Sequence, residues 1–331
     1  MPRRPAGRCV LGVDGGQTKT VALVADARGR ILGAGRSGSS DVHAFREPNV
    51  PLGNVVSAVV LAAAEARVPT ARLHPAVFSL AGADWPEDVE LYRTELRDRL
   101  ELGELPLVVN DAIGALRSGT DDGQGVSVVI GTGMAIGARG PGGPAGTSWH
   151  LGFWGEASGA VELGEQAMLA IVRAQLGIGP ATSMTASALK RLGVASVEEL
   201  LHAITGRDGM GDQGLARLAP VLLDAGHEGD AVAGGIVRRH GQVIADYAIA
   251  AARQVGWDSG YPVVLCGGVL RHRCTDLVDG IARGLPTATM VRATIEPVFG
   301  ALLLAYDAAG IAVDRQRLGK TSPPPQFFET A

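Results

Sequence analysis

Two short apolar runs lie near the start of the chain, at Val10–Val13 and Thr20–Ala25. Short apolar runs bounded by turn residues are typical of buried β-strands, and the stretch "DGGQTK" between the runs predicts a tight hairpin. A third strand, "RGRILGAGRSG", follows after a turn at Ala27–Gly29. The other elements predicted for this half are a helix over Asn54–Arg67, a strand in "HPAVFSLAG", a helix over Pro86–Leu100 and a strand in "LPLVVNDA" that ends at Asn110 and Asp111.

The same strand, turn and strand pattern begins again after "SGTDDGQG", so hairpins are predicted at Val10–Asp26 and at Val126–Arg139. Two such openings favour an internal duplication with its boundary near Ser118–Gly125, and chance similarity of two glycine hairpins is the alternative. The second half is predicted to contain mostly helix over Ser158–Arg253, a strand in "YPVVLCGGV", a helix from about Thr275, a strand near Thr289–Arg292 and a last helix after Pro297.

These patterns predict an N-terminal domain of residues 1–118 and a C-terminal domain of residues 119–318 with a helical insert. The remaining residues, 319–331, read "GKTSPPPQFFETA". Because proline-rich chain ends are often poorly ordered, a flexible tail is expected there.

Composition narrows the class of partner. The formal net charge is −4 and the pI is near 6.0, which gives no reason to expect nucleic acid or an anionic membrane. The longest apolar runs are too short to span a bilayer. Cys9, Cys266 and Cys274 cannot form a disulfide framework, and no Cys/His cluster has metal spacing in the sequence. A cytoplasmic protein is therefore expected, with Cys9 and Cys266 as buried structural thiols.

The two glycine hairpins are candidates for phosphate binding, because glycine-flanked turns offer backbone N–H groups that no side chain obstructs. Asp14 ends the first strand, where a carboxylate can meet Mg²⁺, through water. Lys19 either adds positive charge or is a solvated surface lysine. The cofactor-binding residues predicted in the turns are Gly15, Gly16, Gln17, Thr18 and Lys19 in the first and Gly131, Thr132 and Gly133 in the second.

Two better-known phosphate loops do not fit. The P-loop pattern is approached only by "GKT" at Gly319–Thr321, where Asp314 occupies the position of the first glycine. The stretch "GTGMAIG" resembles a dinucleotide fingerprint with one residue too many, and a short strand follows it instead of a helix.

Two strand ends complete the candidate chemistry. Asp111 follows a strand and precedes a helix, so it is a candidate base for an acceptor hydroxyl or, equally, an N-cap of that helix. The Gly267-Gly268 pair ends another strand and would let a flat adenine lie against the backbone. A tight strand-to-helix turn is the simpler alternative for the pair.

Taken together, these segments resemble the sugar-kinase/actin/heat-shock ATPase superfamily, and within it the BadF/BadG/BcrA/BcrD ATPase family with its N-acetylglucosamine kinases. The resemblance rests on "GVDGGQTKT", "NDA", "IGTGMAIG", "VVLCGGV" and "EPVFGALLLA", in this order along the chain. It implies an α/β fold of two ribonuclease-H-like, actin-like ATPase domains with a central cleft, which close on ATP·Mg²⁺ and a small substrate. Homodimers are common in that family, so a homodimer is a further expectation.

The resemblance also implies a set of substrate-binding residues, with departures. The family's Gly-Asp-Glu-Gly-Ser segment resembles "FWGEASGA" here, which places Glu156 where an aspartate is expected. In "GSSDVH", Asp41 takes the place of an asparagine, and these changes suit an amine-bearing or different sugar, or an altered activity. Trp149, His150 and Trp154 line the pocket or belong to the core. The substrate-binding residues implied are Ser40, Asp41, Asn110, Asp111, Thr132, Trp154 and Glu156.

The resemblance thus implies an ATP-dependent kinase for a hydroxyl of a hexosamine or N-acetylhexosamine, with Asp111 as catalytic base and a small sugar as partner. One alternative is a non-catalytic, regulatory ATP-binding protein. Another is an activator ATPase for a dehydratase or reductase, which would need cysteines placed to share an iron–sulfur cluster between two chains.

Overall fold

The computed structural model describes residues 9–142, 146–152, 155–313 and 315–328. The strands are β1 Cys9–Gly15, β2 Thr20–Asp26, β3 Ile31–Ser37, β4 Leu73–Leu80, β5 Leu107–Asn110, β6 Gly125–Ile130, β7 Met134–Arg139, β8 Ser148–Leu151, β9 Pro262–Cys266 and β10 Thr289–Arg292. The helices are α1 Asn49–Ala66, α2 Pro86–Arg99, α3 Asp111–Gly119, α4 Ala160–Gln175, α5 Met184–Leu192, α6 Val197–Thr205, α7 Gly211–Ala216, α8 Ala219–His227, α9 Ala231–Gln254, α10 Asp276–Gly284, α11 Pro297–Ala309 and α12 Arg315–Lys320.

Two five-stranded sheets repeat one topology. The first has the order β3-β2-β1-β4-β5, and the second has the order β8-β7-β6-β9-β10. In each sheet the first three strands form an antiparallel meander, and the last two run parallel to the first. The predicted α/β fold of two ribonuclease-H-like lobes is confirmed, and the repeated order agrees with the expected duplication. Helices α4 to α9 form the insert between β8 and β9.

Helix α1 begins five residues earlier than the sequence pattern predicted. Its first turn contains Pro51, and a proline there is tolerated because the first-turn N–H groups have no partner within the helix. In the described part of the chain, α1 is the one helix long and apolar enough to cross a membrane. It lies on the first sheet with Val55 and Val59 fully buried, so its apolar character is explained by the core.

Helix α11 belongs to the predicted second domain in sequence, but it packs on the first sheet. Its Leu302 shares a core cluster with Val10 of β1 and Val77 of β4, on the face opposite to α1 and α2. A Cβ added to Gly12 of β1 would lie 2.4 Å from the backbone nitrogen of Leu302. The boundary after residue 118 stays a prediction. The hydrophobic core of the first sheet includes α11, which comes from the C-terminal half of the chain.

Helix α3 makes the reciprocal contact with the second sheet. The hydroxyl of Ser127 on β6 donates to the carbonyl of Ala112 at 2.6 Å. A Cβ added to Gly119 would lie 2.4 Å from the Val264 side chain on β9. Helices α3 and α11 therefore cross between the two lobes, and each covers strands of the other half.

The flexible tail expected over residues 319–331 stays a prediction, although residues 321–328 contact the first lobe in this structure. The Phe328 side chain is buried, and its ring centroid lies 6.0 Å from that of Phe299 in α11. The N–H of Ile31 on β3 donates to the Thr321 hydroxyl at 2.9 Å, and Arg36 donates to the Phe327 carbonyl at 3.1 Å. The proline-rich composition indicates a lack of regular structure, but two adjacent phenylalanines supply enough apolar surface to hold the segment in place.

Candidate active site

Three aspartates come together at the carboxyl edge of the first sheet. Strands β1, β4 and β5 are parallel neighbours, with Asp14 opposite Ser79 and Leu80 opposite Asn110. Asp14 lies at the end of β1, Asp84 follows β4 in the next loop, and Asp111 directly follows β5. In doubly wound sheets ligands bind outside these strand ends, so the predicted base lies at the expected edge.

The two glycine hairpins face each other across the cleft. A Cβ added to Gly133 in the β6–β7 turn would lie 2.8 Å from the side-chain oxygen of Gln17 in the β1–β2 turn. The structure thus brings together two segments that are more than a hundred residues apart in sequence. A ligand with several phosphates can be contacted from both turns at this position.

In the first turn, the carbonyl groups are engaged by protein donors. Ala81 N–H donates to the Gly15 carbonyl at 2.7 Å, and Ser40 N–H donates to the Gly16 carbonyl at 3.1 Å. Gly15 is also required for packing, because a Cβ there would lie 2.5 Å from the Ser40 hydroxyl oxygen. At Gly16 the nearest atom to an added Cβ is the Lys19 carbonyl oxygen at 3.8 Å, so the space beside this glycine is open.

The second turn has the same features. The N–H groups of Ala160 and Val161, at the start of α4, donate to the carbonyls of Gly131 and Thr132 at 2.9 and 3.2 Å. A Cβ on Gly131 would meet no described atom within 4 Å. The turn is therefore held by a helix N-terminus, and the space beside Gly131 is open.

The two glycines at the end of β9, Gly267 and Gly268, have different surroundings. Gly267 has a φ of +99°, and a Cβ there would lie 2.2 Å from the Ile130 carbonyl oxygen, so the turn requires glycine. Gly268 has an ordinary φ of −63°, and its added Cβ would meet no described atom within 4 Å. The tight-turn interpretation therefore accounts for Gly267 alone, and Gly268 offers the flat, open backbone that an adenine ring could cover.

Charged residues surround Asp14. Burial raises the pKa of Asp14 to about 7, opposed by the positive charges of Lys19 and Arg271 and reinforced by Glu296. Glu296 directly precedes α11 and forms a two-point ion pair with Arg271, at 2.7 and 3.0 Å. The Lys19 ammonium donates to the Phe328 carbonyl of the C-terminal segment. Lys19 is therefore half-buried in the first lobe, and it is not a solvated surface lysine.

The structure shows that Asn110, and not Asp111, caps α3. Asn110 is the N-cap of α3, because its side-chain oxygen accepts from Ala112 N–H at 3.0 Å. Asp111 is the first residue of the helix. Burial raises the pKa of Asp111 to about 8, and the negative charges of Asp14 and Asp84 add to the effect. The side chain can therefore exchange a proton close to neutral pH, which suits a general base.

The predicted acceptor-binding residues occupy different surroundings. Ser40 is fully buried, and Asp41 is buried with one oxygen accepting from His43 N–H at 2.9 Å. Glu156 is exposed, and its backbone N–H donates to the Tyr247 hydroxyl at 3.4 Å. Trp154 lies outside the described residues. Trp149 packs partly against the core of the second lobe.

Asp84 was not identified from the sequence. Its side-chain oxygen accepts from the Asn110 amide group at 2.9 Å, and its backbone carbonyl accepts from His150 on β8 at 3.0 Å. Asp84 also raises the pKa of Asp111. The signal that could have found it is an acid directly after Gly82-Ala83 in "SLAGADWP", beyond the end of a buried strand.

Elsewhere, the structure gathers Asp224, His272 and Cys274, whose potential ligand atoms lie within 4.8 Å of one another. Arg273 donates to a carboxylate oxygen of Asp224 at 2.6 Å. Cys274 N–H donates to Nδ1 of His272, so the ring proton of His272 lies on Nε2. Burial raises the pKa of Cys274 to about 11, so its thiol is protonated. This group is a hydrogen-bonded ion-pair cluster.

Comparison with known proteins places the arrangement in context. The model of the BadF/BadG/BcrA/BcrD ATPase family matches residues 11–305. An N-acetyl-D-glucosamine kinase from Dictyostelium discoideum is 26% identical over 90% of this chain and 98% of its own. An N-acetylmuramic acid/N-acetylglucosamine kinase from Clostridium acetobutylicum is 24% identical over 89% of this chain and 97% of its own.

Solved structures share the fold. A candidate N-acetylglucosamine kinase from Chromobacterium violaceum has a TM-score of 0.66 at 24% identity, covering 91% of this chain and all of its own. A ROK family glucokinase from Streptomyces griseus, solved with glucose and AMPPNP, has a TM-score of 0.57 at 18% identity, covering 90% of this chain and 99% of its own.

Proposed function

Because the chain belongs to the BadF/BadG/BcrA/BcrD ATPase family, we propose that it is an ATP-dependent kinase for a hydroxyl of a hexosamine or an N-acetylhexosamine. The observation that carries the proposal is that the two glycine turns face each other, at Gln17 and Gly133, beside the strand end that bears Asp111. The two curated relatives match over nearly their full length, and both are named as kinases of N-acetylated sugars.

In this proposal the open glycines Gly16, Gly131 and Gly268 face the nucleotide, the first two at its phosphates and the third at its adenine. Backbone N–H groups and the Lys19 ammonium would balance the phosphate charge. Phosphoryl transfer needs little covalent help from a protein, so positioning and electrostatic stabilisation supply most of the rate.

Asp111 would accept the proton of the sugar hydroxyl as its oxygen attacks the terminal phosphorus. Its pKa of about 8 lies close to neutral pH, where a catalytic base must accept a proton and later release it. The carboxylates that raise this pKa, Asp14 and Asp84, are neighbours of Asp111 in the cleft. A cation at Asp14 would weaken this effect and favour ionised Asp111.

Asp14 is the residue that would hold Mg²⁺, through water. A carboxylate at a strand end, with its pKa raised by burial to about 7, fits a divalent cation that would relieve the cost of its charge. When bound, Mg²⁺ would neutralise charge on the phosphates.

The activator-ATPase alternative is less favoured by the cysteines. Cys9, Cys266 and Cys274 are all buried, and Cys266 lies against the Ser118 hydroxyl at 3.8 Å. A cluster shared between two chains needs thiolates at a surface. Homodimer formation stays a prediction of the family resemblance, and location in the cytoplasm stays a prediction from composition.

The first experiment is a sugar panel in a coupled assay for ADP release from ATP and Mg²⁺. Glucosamine and N-acetylglucosamine head the panel, and we expect one of them to stimulate ADP release. Asp111→Asn is expected to lower kcat by about 10²–10⁴-fold, the usual range for loss of a general base, with ATP affinity nearly unchanged. Glu87→Gln, an exposed acid on α2, is the matched control.

Full turnover by Asp111→Asn would show that the assigned base is wrong. ATP binding without ADP release for any amino sugar in the panel would instead favour the regulatory, non-catalytic alternative.

A further inference from the structure

The loop after β4 places Asp84 at the junction of the two lobes. The Nε2–H of His150, on edge strand β8 of the second sheet, donates to the Asp84 carbonyl at 3.0 Å. A Cβ added to Gly152 would lie 3.2 Å from the Asp84 side-chain oxygen, so the chain after β8 passes close to this carboxylate. The Asp84 side chain itself is only 9% exposed.

From Asp84 a chain of hydrogen bonds leads to the start of α3. The Asp84 carboxylate accepts from the Asn110 amide group at 2.9 Å, and the Asn110 oxygen accepts from Ala112 N–H at 3.0 Å. Asn110 is only 3% exposed. The Asn110 carboxamide is therefore held by one hydrogen bond at its nitrogen and one at its oxygen. Asp111 lies in sequence between Asn110 and Ala112, the residue whose N–H donates to Asn110.

We propose that Asp84 is a positioning residue for Asp111, acting through the Asn110 cap of α3 and contacting the second lobe through His150. The inference rests on the proposed function, in which Asp111 is the base. A displacement of about 1 Å at a reacting group can cost about a hundredfold in rate, so fixing the cap has a measurable consequence.

The distances favour this role over an ion pair with His43. Nε2 of His43 lies 3.9 Å from the Asp84 carboxylate but only 3.0 Å from that of Asp88. Asp88 also accepts from Trp85 N–H at the start of α2. His43 is thus held mainly by Asp88, whereas the shortest side-chain contact of Asp84 is with Asn110.

The test compares Asp84→Ala with Asp84→Asn in the full-length protein. We expect Asp84→Ala to lower kcat by about 30-fold while the KM for ATP stays within about twofold, because the base is misplaced and the nucleotide turns are intact. Asp84→Asn keeps a side-chain oxygen that can accept from Asn110, so it should recover most of the lost kcat. The matched control, Glu87→Ala, removes an exposed acid from the neighbouring helix and should match the wild type.

A second measurement does not depend on activity. Hydrogen exchange, followed by mass spectrometry over residues 105–116, should be faster in Asp84→Ala than in the wild type and should return toward the wild-type rate in Asp84→Asn. Unchanged exchange in Asp84→Ala would overturn the inference whatever the sugar assay shows. An active wild type with unchanged kcat in Asp84→Ala would also overturn it, while a wild type inactive on every sugar would count against the proposed function alone.

Discussion

Asp111 combines a functional position with an energetic cost. Its pKa of about 8 is far above the ordinary value of 3.8, chiefly because of burial. Between these two pH values the folded protein holds a proton that the unfolded chain has released. Stability from this group is therefore fully present below pH 3.8 and is lost as the pH rises through 8.

Asp111→Asn should consequently stabilise the nucleotide-free protein at high pH. Each unit of pKa difference corresponds to about 1.4 kcal/mol, so we expect a Tm gain of a few degrees at pH 8.5 and a much smaller one at pH 5. Differential scanning fluorimetry without Mg²⁺ measures both, with Glu87→Gln as control. An equal Tm difference at the two pH values would contradict the assigned pKa.

Substitutions at Gly267 and Gly268 are expected to affect different properties, stability at the first and ATP binding at the second. Gly267→Ala should lower the free energy of unfolding by about 1–3 kcal/mol, because its φ is positive and the methyl group would collide with the Ile130 carbonyl. Gly268→Ala faces open space and should keep the wild-type Tm while weakening ATP binding. Thermal unfolding and calorimetric titration with ATP measure the two effects, and wild-type ATP affinity in Gly268→Ala would remove adenine from this position.

Sequence reasoning succeeded for residues whose signals are local. Glycine turns between short apolar strands predicted both hairpins, because turn chemistry depends on neighbouring residues. The choice between base and cap at Asp111 needed coordinates, since Asn110 has equal capping ability and only the backbone shows which residue precedes the helix. Asp84 was missed because its contacts, with Asn110 and His150, are distant in sequence.

At the scale of elements, strand and helix positions followed from periodicity, but their packing partners did not. Nothing in the pattern of α11 indicates which lobe it covers, because its apolar residues suit either sheet. The same limit applies to the C-terminal segment, where composition indicated an irregular chain and the structure shows a packed one.

The C-terminal segment should contribute to the stability of the first lobe. Phe328→Ala removes a buried ring that packs on Phe299, so we expect a loss of about 3 kcal/mol in the free energy of unfolding. Urea denaturation measures this loss, and Gln326→Ala, an exposed neighbour, is the control. Equal midpoints for Phe328→Ala and the wild type would mean that the segment is not docked in solution.

At the scale of the whole molecule, neither half is complete alone. Residues 1–118 lack α11, which covers Val10, Leu23 and Val77 on one face of the first sheet. Expressed alone, this fragment should be unfolded or insoluble because that apolar face would be exposed. The same fragment joined by a flexible linker to residues 297–331 should be soluble and show cooperative thermal unfolding by circular dichroism.

A soluble, cooperatively folded fragment 1–118 without the added residues would contradict this prediction. It would mean that the first sheet does not need α11 to fold.

Helices α3 and α11 approach closely where they cross. A Cβ added to Gly300 would lie 1.9 Å from the Gly114 carbonyl oxygen, so the two backbones touch with no side chain between them. Loss of either lobe's structure would leave the other without one of its covering helices. Heating should therefore melt both lobes in a single calorimetric transition, despite the two separate sheets, and a nucleotide bound at the cleft would delay the melting of parts of the chain that it never contacts.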